Sequence, residues 1–375
     1  MPDLVKVLFR VTERCNLNCK YCFARDYSKN ADSSWELLEK AVKFVEGAGH
    51  VIWIWHGSEP TMMGVEYYRK ANKFLNDHGI KDISMQSNGV LFGTDAWLEY
   101  LKEGKMSVSI SYDGMYQQEY RGHAEEVERA INKMNANKIT FGVITVIGEH
   151  NADNLVNLYD HMKKVGVKYW QFNTVFPSPR TGYLPDTLAM DYKQAVYDLF
   201  ITWALDKEPV RVRNFEEFIP YMLGNGHYLC MFSGDCFENF ISITADGKVT
   251  VCDRWFDWFD GKLDDFGSVE ELFNSEWRKA LKEAKNKRVE ECSKKGCPFV
   301  DICQGGCTVN SLEAGNVYAP VVEDCYERAA FISAIFEAME ELSFKDYKNP
   351  VALTLLAQNG FRPNYLLKGT GLCGI

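Results

Sequence analysis

The sequence predicts an α/β protein built on a parallel sheet, with a cysteine-rich part toward its C-terminal end. Three observations predict it. Short β-like runs alternate with amphipathic helical stretches through the first half of the chain. Polar residues stand at or just after the ends of successive predicted strands: Cys15, Glu59, Asn88, Asp113, Glu149 and Asn173. In a barrel of parallel strands that end carries the chemistry. Finally, eight of the twelve cysteines fall between Cys230 and Cys325. Pattern alone leaves the sheet either open and doubly wound or curled as a partial barrel.

Each element follows from its own pattern. Apolar runs at 5–11, 51–55, 83–86, 106–111, 140–146 and 169–173 read as strands. Between the first two, Trp35, Leu38, Ala41, Val42 and Val45 recur at helical spacing. Similar stretches lie near 64–78, 94–103, 123–136 and 152–165, and a sixth runs from about 191 to 205. Beyond residue 225 the texture changes to short strands, at 240–244 and 248–252, set among turn residues. A last helix near 329–342 precedes a tail that ends GTGLCGI. No internal repeat or low-complexity tract interrupts the chain.

Composition narrows the function. Of 375 residues, 46% are hydrophobic and 25% charged, a balance that excludes disorder. A net charge of −10 argues against a nucleic-acid partner. No apolar run approaches the ~18 residues of a membrane span. The start MPDLVKVLFRV lacks a signal-peptide pattern, so a cytoplasmic location is expected. Twelve cysteines there point to metal or redox chemistry rather than disulfides. Neither GxGxxG nor GxxxxGK[ST] follows any strand, which weakens a nucleotide-binding Rossmann or P-loop reading. Aromatic residues make up 14%, more than a core of this size needs, leaving some to line a site.

The most informative cysteines are Cys15, Cys19 and Cys22, a C-x3-C-x2-C run in the loop after the first strand. Three thiolates without a nearby His leave tetrahedral zinc short of a ligand, whereas they suit a [4Fe–4S] cluster with one open iron. Tyr21, inside the run, can lie flat against a bound ring. With the six βα units, this pattern resembles the radical S-adenosylmethionine (SAM) superfamily. His56-Gly57-Ser58-Glu59-Pro60 resembles the family's GGEP loop, which implies that its backbone and Glu59 hold the methionine amino group. Ser58 stands where a second Gly is usual, so the chain there does without the left-handed freedom of glycine. Gln86-Ser87-Asn88-Gly89 resembles the strand-three motif near the SAM ribose. Ser111-Tyr112-Asp113-Gly114 with Arg121 resembles the segment that binds the SAM carboxylate and ribose, with a gap about two residues shorter than usual.

The C-terminal cysteines resemble a SPASM domain, as found in radical SAM peptide and protein maturases. Cys230-x5-Cys236-x15-Cys252 is followed by Cys292-x4-Cys297-x5-Cys303-x3-Cys307 and Cys325. The family commonly has C-x2-C at the step where this chain has x4. The resemblance implies one auxiliary cluster on Cys230, Cys236, Cys252 and Cys307, and a second on Cys292, Cys297, Cys303 and Cys325. Sulfur-only ligation also allows a pair of zinc ribbons. Cys373, in the tail, is left over as a free thiol.

Asp253 directly follows Cys252. Anaerobic sulfatase-maturing enzymes have a Cys-Asp pair at the matching place, with Asp as the proposed base. Where those enzymes carry Tyr two residues past the third cluster cysteine, this chain has Ala24. The alternatives for Asp253 are a helix cap, a salt bridge to Arg254 or a surface charge. His56 is the one histidine singled out, for its place beside the SAM loop. Trp255, Phe256, Trp258 and Phe259 are candidate walls of a peptide pocket. Gln171, Asn173 and Arg180 are candidates for SAM or substrate-backbone contacts.

Taken together, the resemblance implies a partial (β/α)6 TIM-like barrel over 1–225. A SPASM domain over 226–328 and a C-terminal helix and tail over 329–375 follow it. The implied cofactors are SAM and three [4Fe–4S] clusters. The implied chemistry is hydrogen abstraction by a 5′-deoxyadenosyl radical, with Asp253 as catalytic base and the auxiliary clusters as electron acceptors. Expected partners are a peptide or protein substrate and a flavodoxin- or ferredoxin-type reductant. The expected role is maturation of a ribosomal peptide, with sulfatase maturation, or a non-catalytic Fe–S electron carrier, as alternatives.

Overall fold

In the computed structural model, which describes residues 3–24, 31–176, 188–225, 232, 236–254 and 259–359, the predicted strands lie side by side in chain order. They are β1 (Leu4–Thr12), β2 (His50–Gly57), β3 (Asp82–Ser87), β4 (Ser107–Ser111), β5 (Gly142–Ile147) and β6 (Tyr169–Thr174). All five neighbouring pairs are parallel. The crossovers run through α1 (Trp35–Val45), α2 (Val65–Asp77), α3 (Asp95–Lys102), α4 (Ala124–Ala136) and α5 (Leu155–Lys164). A further helix, α6 (Leu188–Leu205), follows β6.

Alternation decides which face each residue takes. In β3 to β6 every second residue is buried and the intervening ones are half-buried, or exposed at the start of β3, β4 and β6. The buried set packs under the helices. On α1 it meets Leu38, Ala41, Val42 and Val45, the positions that carry the helical period, and Ser34 caps that helix by accepting from the Leu37 N–H. Phe9 stacks on Trp53 at 5.3 Å and meets Trp55 edge-on at 5.7 Å. The Trp55 indole N–H reaches Asn72 of α2 at 2.7 Å. Trp53, Trp55, Trp170 and Trp203 are all fully buried, so much of the aromatic surplus builds core rather than a site. The opposite, concave face carries Gln86, Ser109, Ser111, Gln171 and Asn173, half-buried and polar.

The sheet does not close into a barrel. It runs β10-β9-β8-β1-β2-β3-β4-β5-β6-β7. β7 is the dipeptide Arg211–Val212, parallel to β6. Two residues are too few to show a period, which is why no seventh strand was legible. On the other edge β8 (Phe240–Ile243) lies parallel to β1, pairing Lys6–Phe9 with Phe240–Ile243. β9 (Lys248–Thr250) folds back antiparallel on β8, and β10 (Gly261–Lys262) on β9. The strands beyond residue 225 thus extend the first sheet.

α7 (Arg213–Met222) follows β7, and α8 (Glu276–Lys294) precedes the last cysteines. α9 (Val322–Glu341) packs along α6, tied by Lys193 to Glu337 at 2.7 Å and by the Tyr197 hydroxyl to Glu341. α10 (Pro350–Gln358) packs on α7, while Asn349 donates to the Trp203 carbonyl at 2.8 Å. Among the described residues no helix is long and apolar enough to cross a membrane.

Candidate active site

The loop after β1 is pinned from several sides. Arg14 pairs with Asp32 through two contacts of 2.8 Å, and the Lys20 N–H donates to the Tyr120 carbonyl at 2.9 Å. Asn88 donates to Asn16 at 2.7 Å, so the β3 turn holds the cysteine loop. Cys15 is exposed, Cys19 buried and Cys22 half-buried. Burial pushes the Cys19 thiol up; the Arg121 cation pulls it back, and Cys22 and Asp113 add to the rise. Tyr21 is 8% exposed, and its hydroxyl donates to Asp113 while accepting from Arg121 at 2.8 Å. His150, which sequence reasoning passed over, stacks on Tyr120 at 3.7 Å and on Tyr21 at 6.3 Å. Burial lowers it to about 4, so it is neutral at physiological pH.

The β2 turn is built around Gly57 and Glu59. Gly57 has φ +118, and a Cβ there would sit 2.7 Å from the Thr12 carbonyl oxygen. Ser58 stays out of the left-handed region and donates its N–H to that same oxygen at 3.3 Å. The Glu59 carboxylate is fully buried and accepts from the Thr61 N–H (3.0 Å), Ser87 hydroxyl (2.8 Å) and Asn88 N–H (2.7 Å). Burial raises its pKa against those bonds. Asp113, also fully buried, accepts from the Val146 N–H at 3.0 Å. Ser111 accepts from Gln86 at 2.8 Å on the concave face. Farther along that face Gln171 bridges Asn173 (2.8 Å) and Arg213 (3.1 Å), while Glu149 is exposed in a turn.

Asp253 comes to the end of β2 from the other side of the sheet. Its Oδ2 lies 3.2 Å from His56 Nδ1, with side chains 17% and 23% exposed, outside good hydrogen-bond alignment. Burial lowers the His56 pKa, and the nearby carboxylate opposes that. Arg254 does not pair with Asp253. It donates to Asn310 (2.8 Å) and Glu313 (3.0 Å) and lies 3.7 Å over the Phe176 ring. Asp253 sits in a turn. The second surprise on this face is Arg10, 1% exposed and paired with Glu13 at 2.6 Å. Nothing in a strand pattern marks an inward arginine, so this pair was invisible to periodicity. Trp255, Phe256, Trp258 and Arg180 lie outside the described residues, and Phe259 is 48% exposed under Lys248.

The C-terminal cysteines fall into two groups. Cys236, Cys252 and Cys307 pack against one apolar cluster, formed by Phe237, Val251, Leu281, Val309 and Leu312. Desolvation, then Asp253 and Cys236, push the Cys252 thiol up. Cys292, Cys297, Cys303 and Cys325 line one recess of about 450 Å³, solvent-facing space included. Cys230 and Cys373 lie outside the described residues. Among the described residues no three His, Cys, Asp or Glu side chains converge on a single-ion position. Thiols grouped this way, with no histidine among the described residues of that apolar cluster or recess, are a donor set that suits iron–sulfur clusters, which take thiolate ligands.

Comparison with known proteins agrees with this arrangement. Residues 9–162 match the radical SAM superfamily. The chain is 28% identical over 343 residues to a cysteine-type anaerobic sulfatase-maturating enzyme of Clostridium novyi, covering 83% of this chain and 89% of the relative. It is 24% identical over 327 residues to a serine-type enzyme of Klebsiella aerogenes, covering 80% and 79%. A solved structure of native anSMEcpe with bound AdoMet and the Cp18Cys peptide superposes with TM-score 0.78 at 26% identity, over 90% of this chain and 98% of that one. Streptococcus suis SuiB bound to S-adenosylmethionine shares the fold, with TM-score 0.64 at 13% identity over 86% and 77%.

Proposed function

The chain carries a radical SAM domain and is an enzyme, and from that premise we propose that it oxidises a side chain of a peptide or protein laid along the concave face. One observation carries the reading. Asp253, next to Cys252, meets His56 at the end of β2, so a carboxylate stands between the β2 turn and the auxiliary cysteines. An oxidation that follows hydrogen abstraction releases a proton as well as an electron, and this is where an acceptor for each is within reach of the other.

The residues divide the work as follows. Cys15, Cys19 and Cys22 hold one [4Fe–4S] cluster, and SAM bound there supplies the hydrogen-abstracting radical. Glu59 is the buried carboxylate nearest to an incoming ammonium group; the four-point hydrogen-bond web around the β2 and β3 turns fixes its direction. Tyr21, Asp113 and Arg121 brace the cysteine loop against β4 and β5. Asp253, beside His56, accepts the proton. Cys230, Cys236, Cys252 and Cys307 would hold a second cluster and Cys292, Cys297, Cys303 and Cys325 a third, which when bound would supply an electron acceptor. A flavodoxin- or ferredoxin-type protein supplies reducing equivalents.

Similarity along four-fifths of the chain favours oxidation of Cys or Ser to formylglycine over crosslinking. Crosslinking of a ribosomal peptide is kept as a second reading because Ala24, 7% exposed, stands where sulfatase maturases are expected to carry Tyr. The test is anaerobic turnover of reconstituted protein with SAM, dithionite and a peptide containing Cys or Ser. About twelve irons per chain and a hydrazide-reactive aldehyde are expected. A product lighter by two hydrogens without an aldehyde shifts the reading to crosslinking. Iron near four per chain, with zinc, overturns the auxiliary clusters.

A further inference from the structure

Helix α8 carries two buried arginines that differ in what they face. Arg278 is 1% exposed, and its guanidinium meets the Asp260 carboxylate at 3.0 Å. Arg288 is fully buried, and its fork donates to the Gly305 carbonyl (3.0 Å), the Val317 carbonyl (2.5 Å) and the Thr308 hydroxyl (2.7 Å). All three acceptors are neutral. Among the described residues no carboxylate pairs with it. A desolvated cation left this way is costly unless a negative charge stands nearby.

The groups near it that turn anionic when they bind iron are the thiols flanking the turn it grips. Cys307, Cys236 and Cys292 all act on Arg288 electrostatically, the first two from one cysteine group and the third from the other. Arg328, which lines the recess of the second group, is a nearby cation that works against it. The loop that Arg288 grips is the boundary between the groups, because Cys303 belongs to one and Cys307 to the other. Gln304, Gly305 and Gly306 between them have φ of 55, 77 and 78. A Cβ on Gly305 would lie 3.1 Å from the Arg288 Cβ, so glycine is what lets the arginine stem lie against this turn.

We propose that Arg288 is the shared counter-charge of the two C-terminal cysteine groups, a positioning residue that raises the reduction potentials of both clusters together. This rests on the reading that those groups hold [4Fe–4S] clusters. Thiolate-bound clusters are anionic and gain a further negative charge on reduction, and the charge around them sets their potential. A fixed buried cation between two of them favours the reduced form of each. It thereby raises the two potentials together and leaves the difference between them, which drives an electron from one to the other, about as it was.

The test is potentiometric titration of the reconstituted full-length protein, followed by electron paramagnetic resonance, for wild type, Arg288→Gln and Arg288→Lys. Glutamine removes the charge and keeps a hydrogen-bonding amide; lysine keeps the charge and gives up the fork. In Arg288→Gln both auxiliary potentials should fall by at least about 59 mV, a tenfold change in the oxidised-to-reduced ratio of a one-electron couple. The triplet cluster, free of this contact, should not move, and Arg288→Lys should stay near wild type. Loss of iron in Arg288→Gln alone also supports a charge requirement. Unchanged potentials in Arg288→Gln at full iron content overturn the inference, and so does equal iron loss in both variants, which makes Arg288 a hydrogen-bonding scaffold. Wild type with about four irons overturns instead the cluster reading beneath it.

Discussion

Asp253 reaches its place through its neighbours. Thr250 accepts no part of that task but closes the turn by donating to the Cys252 carbonyl at 2.8 Å, and Arg254 anchors the other side on Asn310 and Glu313. The carboxylate is left facing His56, which makes its substitution informative. Asp253→Asn keeps the shape and removes the proton acceptor, so SAM binding and iron content should persist. Deoxyadenosine should still form, while modified peptide falls by roughly 10²–10⁴-fold, the usual worth of a positioned acid or base. Chromatographic quantitation of both products checks it; unchanged peptide yield returns Asp253 to a structural role, and lost iron makes it a support of the Cys252 loop. At this scale the sequence was legible where chemistry repeats at short spacing, as in Cys15, Cys19 and Cys22. It was silent on Arg288 and the meeting of His56 with Asp253, because their partners are far away in the chain and leave no local pattern; it was silent on Arg10, because no strand pattern marks an inward arginine even with Glu13 three residues on.

Among the elements, the junction of β1 and β2 is where backbone geometry matters most to the site. The register slips between Arg10 and Thr12 as β1 meets β2, and Gly57 fills the gap with a left-handed φ and no side chain. Gly57→Ala therefore meets both a steric clash with the Thr12 carbonyl and the conformational penalty. A loss of about 1–3 kcal/mol in stability is expected, the usual cost of a strained backbone site. Chemical denaturation of the apo protein measures it, and SAM affinity should fall in parallel because Ser58 and Glu59 shift with the turn. A variant as stable as wild type would show that the strands can slide apart at no cost. The alternation of β3 to β6 was readable to within a residue or two at each end, because one face of each strand packs under helices. β8 was readable as a strand but not as a partner of β1, since four residues specify a conformation and not an address.

For the whole molecule, that pairing makes the first 225 residues incomplete. The edge of β1 is covered by Phe240–Ile243, and α9 and α10 cover α6 and α7. A chain cut after residue 225 exposes an apolar edge strand and the helix faces under α9, so it should be recovered aggregated or as a soluble oligomer. Analytical ultracentrifugation distinguishes this from a folded monomer, which would mean that the two parts are independent. The class of fold was thus plain from sequence, while the joining of the parts was not. The same pairing also sets a schedule. β1 leaves the ribosome together with its partner β2, yet the strand that completes its other edge follows about 190 residues after β2. At 5–20 residues per second the nascent chain carries an open edge for roughly 10–40 s, and through that interval a chaperone, rather than the protein's own sheet, must keep β1 from its neighbours on the polysome.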